Sequence, residues 1–397
     1  MNPPRHNDQT AGPASPALPS PTAGEQAHHD KLMQRLREEM AAAGGAIAFD
    51  RFMELALYAP GLGYYVAGTH KFGEHGDFVT APELGSLFAR CLARPCRSLL
   101  AGLGGGDILE AGAGSGVLAA DLLLELESLG RLPERYLILE LGAELRARQH
   151  EAIKRRVPHL FDRVHWLVDL PGDFRGMVLA NEVLDAMPVT RFKVTQNGIN
   201  ELYVAWENEG FAWREKPADE SVRTRIEALG LPAGYTSEIN LRAEAWVRSV
   251  ADSLKQGVML LIDYGFPRAE FYHPQRAQGT LMCHYRHQAH DDPLRLAGLQ
   301  DITAHVDFSA VAEAGVDAGL TLLGYTSQAA FLLGCGLEQI MAASDPNDVR
   351  AHLALTQQIK KLTLPHEMGE LFKVLALGRG VRESLPGFTL QDRRGRL

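Results

Sequence analysis

Three glycines alternate with small residues in Gly112-Ala113-Gly114-Ser115-Gly116, directly after an apolar run that ends in an acid, Asp107-Ile108-Leu109-Glu110. A strand that runs into such a turn and then into a helix brings bare backbone close to a ligand. It also offers the free N–H groups of a helix start to a carboxylate. A dinucleotide fingerprint reads Gly-x-Gly-x-x-Gly, with its acid far downstream. Here the third glycine falls at Gly116, Val117 fills the fingerprint's last place, and Glu110 stands immediately before the loop, where it can accept bonds from an amino group. A ligand-free glycine turn is the plain alternative.

The next apolar run, Leu137-Ile138-Leu139, ends in Glu140, 28 residues after Gly112. An acid at that strand end can take both hydroxyls of a ribose, although a solvated glutamate reads the same way. Asp169, after Val164-His165-Trp166-Leu167-Val168, is placed to meet an adenine edge or to form a turn before Pro171-Gly172. A ligand with an amino group, a ribose and an adenine, on a loop that departs from the dinucleotide pattern, points to S-adenosyl-L-methionine.

A third stretch, Val178-Leu179-Ala180-Asn181-Glu182-Val183-Leu184-Asp185-Ala186-Met187-Pro188, puts Asn181-Glu182 at the carboxyl end of a strand. In open α/β sheets that edge faces the ligand crevice. Glu182 and Asp185 share a face if a helical turn follows, and together they can hold a cation such as a guanidinium through paired charge-assisted bonds. Helix capping by Asn181 is the plain alternative. Glu238 and Asp263 are second candidates for the same catalytic work, with Tyr264 to pack on the acceptor. His305 and Asp307 either shape the pocket or have structural roles. His284, His287 and His290 do not share one tight helical face, so no metal is expected there.

These residues need a frame. Apolar runs at 107–111, 136–141, 164–168, 177–180 and 257–263 alternate with helical segments such as 116–129 and 143–155, which predicts a doubly wound parallel sheet. Residues 372–377 make a final strand. Two stretches break the alternation: a β-meander over 189–216, with a turn at Asn197-Gly198, and a polar, His-rich insertion over 266–318. Before the first strand, helices are expected over 30–43, 48–58 and 82–100. The organisation reads as a disordered tail 1–29, a helical cofactor-covering segment 30–100, and a core 101–188. An inserted meander and helix 189–250 follow, then a second part of the core 251–378 and a flexible tail 379–397.

The whole chain has 397 residues, 46% of them hydrophobic, and a net charge of −9. The acidic balance argues against a nucleic-acid binder. No apolar run approaches the ~18 residues of a membrane span. The first residues lack the basic start and apolar centre of a signal peptide. Cys91, Cys96, Cys283 and Cys335 have no zinc or redox spacing and read as reduced structural thiols.

Several stretches together resemble one family closely. Tyr58-Ala59-Pro60-Gly61-Leu62-Gly63-Tyr64-Tyr65 and Phe72-Gly73-Glu74-His75-Gly76-Asp77-Phe78-Val79-Thr80-Ala81-Pro82-Glu83 are similar to the N-terminal signature of the MidA-type methyltransferases. Asn181 to Pro188 is similar to their substrate loop. Ile262-Asp263-Tyr264-Gly265, Gly279-Thr280-Leu281 and Asp301-Ile302-Thr303-Ala304-His305-Val306-Asp307-Phe308 complete a likeness that runs from about residue 31 to 378. The chain departs from the family pattern at Ala81 and Gly85, where hydroxyls are lost, and at Val183-Leu184, where the family has aromatics.

The resemblance implies a Rossmann-like seven-stranded class I methyltransferase sheet, with an N-terminal helical segment and an inserted meander or substrate cap. It implies S-adenosyl-L-methionine as cofactor, with Gly76, Asp77 and Thr80 joining Glu110, Gly112, Gly114, Gly116, Glu140, Asp169 and Asn181 around it. It further implies a protein substrate. In the family's mitochondrial member, a complex I assembly factor, this is an arginine of a complex I subunit. A bacterial chain would then work in the cytoplasm and a eukaryotic one in the mitochondrial matrix. The oligomeric state stays open. The rival readings are a non-catalytic assembly chaperone on the same fold, a methyltransferase with another acceptor, and a nicotinamide oxidoreductase.

Overall fold

Alternate residues along the central strands are apolar on both faces, so the sheet they form must be covered on both sides. The computed structural model, which describes residues 18–66, 80–345, 347–381 and 384–397, shows that arrangement. We label the strands of the main sheet in chain order: β1 Asp107–Ala111, β2 Tyr136–Leu139, β3 Val164–Leu167, β4 Phe174–Asn181, β5 Leu254–Phe266, β6 Thr321–Ser327 and β7 Phe372–Arg379. Their spatial order is β3-β2-β1-β4-β5-β7-β6, and the short strand Val306–Asp307 adds to β5. Ile108, Ile138, Leu179, Leu260 and Val374 pack beneath helices Leu87–Leu103 and Val117–Ser128. Leu109, Leu137, Val178, Leu261 and Leu375 pack on the other face, against Leu241–Ser253 and Phe308–Asp317.

The fold class is as expected, with one correction: the sheet is not all parallel. β1 to β5 run parallel, but β7 is antiparallel to both β5 and β6. The chain reaches the far edge at β6 before returning to fill the place beside β5. Strand order reverses between β1 and β4, which opens the crevice at their carboxyl ends.

The meander is part of a second sheet. Thr190–Thr195, Gly198–Glu207 and Gly210–Pro217 are joined by Ala46–Ala48 and Thr236–Ile239. The insertion carries a small third sheet, with Met282–Tyr285 between Gln288–His290 and Asp301–Thr303.

Two predicted tails are corrected. Order does not wait for Asp30: a helix runs from Ala23 to Ala42, started by a capping box between Thr22 and Glu25. Its Leu32, Leu36 and Met40 are fully buried. The described residues of the second tail, 380–381 and 384–397, are not frayed. Leu385 and Phe388 enter the core, and Arg393 pairs with Glu370 at 2.8 Å. The expected helix 82–100 is a short 3-10 turn, Ala81–Leu84, followed by the helix Leu87–Leu103.

Candidate active site

The glycine loop leaves β1 with all three glycines in the left-handed region, at φ +64° for Gly112, +51° for Gly114 and +82° for Gly116. A side chain at Gly116 would press on the Gln149 backbone at 3.2 Å, so this glycine lets two helices approach. A Cβ at Gly114 would meet no atom of the described residues within 4 Å, so among them that part of the loop faces open space. The Gln149 side-chain amide donates to the Gly114 carbonyl (3.0 Å) and to Glu140 (3.1 Å), and its oxygen accepts from the Trp166 ring N–H (3.0 Å). Glu140, at the end of β2, also accepts the Gly142 N–H at 2.8 Å. Burial pushes its carboxyl up despite these bonds. Loop and strand-end acid are therefore one rigid unit. Leu141 and Val168, exposed aliphatics just past β2 and β3, stand beside it.

Glu110 is buried and accepts the Tyr136 hydroxyl at 2.7 Å, and burial pushes its carboxyl up to about 7. It supports the loop from the face covered by Leu87–Leu103. Ser115 donates its hydroxyl to Glu83, which ties the loop to the Ala81–Leu84 turn. Thr80 opens that turn, its carbonyl accepting the Glu83 N–H at 3.0 Å. Gly76 and Asp77 lie outside the described residues. Asp169 is exposed, beyond the end of β3.

Beside the loop, at the end of β4, the chain makes a strained turn. Glu182 has φ +54°, a conformation that costs a non-glycine residue of order 1 kcal/mol and persists only where the surroundings enforce it. The Glu182 N–H is held by the Ile262 carbonyl at 2.9 Å, and Asn181 donates its amide to the Glu182 carboxylate at 3.1 Å. Val183 lies against Gly112, so the turn touches the glycine loop. Burial, then the nearby Asp185, pushes the Glu182 carboxyl up to about 8. Asp185 is itself buried and pushed up by burial, with the Tyr264 hydroxyl working in the opposite direction. Its Oδ1 is buried without a hydrogen-bond partner among the described residues.

Of the two second candidates, Asp263 belongs to this cluster and Glu238 does not. Asp263 accepts the N–H groups of Leu184 (2.9 Å), Asp185 (3.3 Å) and Tyr264 (2.9 Å). Its oxygens are thus spent on fixing the Glu182–Asp185 turn, which makes it a positioning residue. Glu238 accepts from Thr280 at 2.9 Å through its N–H and 3.3 Å through its hydroxyl, and faces Arg191 at 3.7 Å. Thr280 in turn receives the His305 N–H at 3.1 Å. The His305 ring meets Tyr264 edge-on at 5.2 Å, and burial pushes it down to about 4, so it is neutral. Asp307 caps helix Phe308–Asp317 through the N–H groups of Ser309 and Ala310, which is a structural role.

Three residues without a predicted role join the cluster. Tyr58 donates its hydroxyl to the Ala186 carbonyl at 2.9 Å, and Tyr65 donates to Asp301 at 2.7 Å. The two rings stack at 5.5 Å. Asp301 is buried, and its field reaches Glu182, Tyr58 and Tyr264. All three lie inside stretches that carry the family resemblance, but nothing in their local spacing links residue 65 to residue 301.

Residues 91–326 match the model of a family of S-adenosyl-L-methionine-dependent methyltransferases. The chain belongs to this family. A solved protein from Burkholderia thailandensis, bound to S-adenosyl-homocysteine, is 48% identical, with a TM-score of 0.93 over 96% of this chain and all of that one. A second structure from the same organism is 47% identical, with a TM-score of 0.91. The mitochondrial protein arginine methyltransferase NDUFAF7 of Danio rerio is 29% identical, over 87% of this chain and 86% of its own. The homolog of Drosophila melanogaster is 26% identical over 91% and 88%.

The methyltransferase cradle suits its cofactor. The open face at Gly114, the helix start at Val117, the acid Glu140 held at the same loop and the aliphatic pair Leu141 and Val168 offer sites for a carboxylate, a ribose and an adenine in that order along the sheet edge. Gln149 and Glu83 act on this cradle and were not expected. A helix-borne glutamine carries no local signal of such a role.

Proposed function

We propose that this chain transfers methyl groups from S-adenosyl-L-methionine to an arginine side chain of a protein, with Glu182 and Asp185 holding the acceptor. A respiratory complex I subunit, the acceptor that the resemblance implies, is the first to test. The observation that carries the reading is the carboxylate pair itself, Asp185 buried and Glu182 half-buried. Two carboxylates that feel each other's charge stand on the turn that touches the glycine loop through Val183, and Asp185 keeps a buried oxygen without a hydrogen-bond partner among the described residues. The names of the mitochondrial relatives support the choice of arginine.

When bound, S-adenosyl-L-methionine supplies an electrophilic methyl carbon on a positively charged sulfur. The guanidinium must present one nitrogen in line with it, so positioning does most of the work. Glu182 and Asp185 orient that nitrogen by accepting its N–H bonds. As the nitrogen–carbon bond forms, the carbon–sulfur pair stays with sulfur, and one N–H proton passes to the Glu182 carboxylate. A half-buried carboxylate with a raised proton affinity suits that last task. Asp263 and the left-handed backbone at Glu182 keep both groups in place.

The test is a tritiated-methyl transfer assay in extract lacking this protein, followed by identification of the labelled band and its labelled residue. Label on an arginine that falls by about 10²-fold or more in Glu182→Gln is expected. Unchanged turnover in Glu182→Gln, or label on a residue other than arginine, overturns the reading.

A further inference from the structure

Asp301 lies far from Glu182 in the chain, on an edge strand of the insertion's small sheet, yet it meets the same cluster. The next loop residue but two, Ala304, donates its N–H to the Asp185 carbonyl at 3.0 Å, which fastens that strand to the acceptor turn. On the other side Tyr65 donates its hydroxyl to the Asp301 carboxylate at 2.7 Å. Tyr65 stacks on Tyr58, and Tyr58 is fixed to the Ala186 carbonyl at 2.9 Å. The fields of Asp185, Asp301 and Glu140 all reach the Tyr58 hydroxyl. The tyrosine pair therefore stands where the acceptor cluster adjoins the ribose acid of the cofactor cradle. Three separate parts of the chain supply the three acids or their supports: the turn after β4, the insertion and the N-terminal segment.

Their chemistry is selective. An ammonium is a compact point charge that one or two carboxylates satisfy. A guanidinium is a flat cation with five N–H donors along its edges. Carboxylates delivered from more than one direction match the flat cation, and Asp185 brings a buried oxygen that has no hydrogen-bond partner among the described residues. The distances above also show that Asp301 is aimed by Tyr65 and by the Ala304 link, and a surface acid would need neither.

We propose that Asp301, aimed by Tyr65, is a third acceptor-binding carboxylate that makes the pocket select a guanidinium over an ammonium. Tyr65 is then a positioning residue, and Asp301 touches the acceptor edge that Glu182 and Asp185 leave free. This rests on the arginine reading above.

The experiment titrates ethylguanidinium and, separately, n-butylammonium into the full chain loaded with S-adenosyl-homocysteine, followed by saturation-transfer NMR. The parent chain should bind ethylguanidinium about tenfold more tightly than butylammonium. Asp301→Asn should weaken ethylguanidinium by about tenfold and move butylammonium by less than about twofold. Tyr65→Phe, which keeps the ring, should weaken ethylguanidinium by about threefold. In both variants the affinity for S-adenosyl-homocysteine and the melting temperature should stay close to the parent's. If Asp301→Asn binds ethylguanidinium as the parent does, Asp301 is no acceptor ligand and the proposal falls alone. If both cations and S-adenosyl-homocysteine weaken together, the role of Asp301 is structural and the proposal falls as well. A parent chain that treats the two cations alike, or binds neither, removes the arginine reading and the proposal with it.

Discussion

Glu182 combines three costs that a structural residue would shed: a left-handed backbone, a carboxyl whose proton affinity is raised by desolvation, and a second acid beside it. Its folded-state proton affinity, about 8 against 4.5 for an ordinary glutamate, fixes two signs. First, the folded chain keeps a proton that the unfolded chain has lost across that window. Stability therefore falls as pH rises from about 4.5 to about 8, by at most about 1.4 kcal/mol for each pH unit. Glu182→Gln removes that slope. Its melting temperature should exceed the parent's at pH 9 and match it near pH 4, and the reverse order by calorimetry would refute the assignment. Second, in the proposed mechanism the free enzyme must lose that proton before Glu182 can hold a cation and accept a proton. The specificity constant for the methyl acceptor should rise with pH to a plateau above about 8, and its rise should vanish in Glu182→Gln. Glu182 and Asp185 were legible as acids at a strand end, because strand ends in such sheets face the crevice. The distinction between Asp263 and Glu238 was not legible. Both read as candidate acids, and only the backbone N–H groups around Asp263 and the Thr280 contacts of Glu238 separate them. Asp301 and Tyr65 had no assigned role for a related reason: their meeting depends on how two distant segments dock.

The glycine loop and the strands that carry it were the most legible elements. β1 and the helix after it fall within a residue of the expected ranges, since a short strand followed by Gly-x-Gly-x-Gly admits few other conformations. β6 was missed. Its Thr321–Ser327 stretch is broken by a register irregularity between Leu322 and Gly324, so no clean alternation survives. Gly324 is small because the Phe388 ring lies over it, a contact set by the C-terminal segment rather than by the strand. The antiparallel return of β7 was equally invisible, because a strand's own pattern does not record its direction. The loop glycines differ in a way that can be measured. Gly116→Ala meets both a left-handed φ of +82° and the Gln149 backbone at 3.2 Å, so it should lower the melting temperature and weaken S-adenosyl-homocysteine together. Gly114→Ala meets only the φ of +51°, a cost of roughly 1 kcal/mol, and its methyl points into open space. It should keep most of its stability yet weaken S-adenosyl-homocysteine by about tenfold or more, if that space receives the cofactor. Calorimetry on the two variants separates these outcomes. Equal affinities for Gly114→Ala and the parent would show that the cofactor lies elsewhere.

At the scale of the whole molecule, two bodies of packing meet at the active site. The sheet and its flanking helices hold the cradle, while a separate apolar cluster joins the N-terminal helix, the second sheet and the insertion. In that cluster Leu32, Leu36 and Met40 lie with Phe49, Phe52, Tyr64, Val204, Cys283 and Ile302. Polar links run the same way: His28 to the Leu62 carbonyl at 2.8 Å, His29 to the Ala297 carbonyl at 2.9 Å, and Glu25 to Arg286 at 2.7 Å. The N-terminal helix is therefore the clasp that holds Tyr58 and Tyr65 on one side and Asp301 on the other. Loosening it should act on the proposed acceptor site and spare the cradle. Leu36 is fully buried in the clasp, and Leu36→Ala should cost about 2–5 kcal/mol of packing there. The loss falls on the cap first, so amide exchange should quicken across 46–66 and 281–304 and stay slow in β1, β4 and β5. The acceptor KM should rise several-fold, while the affinity for S-adenosyl-homocysteine should change by less than about twofold. Exchange that quickens evenly through the sheet, with cofactor affinity falling in step, would mean that cap and core unfold as one unit and that the clasp has no separate hold on the acceptor.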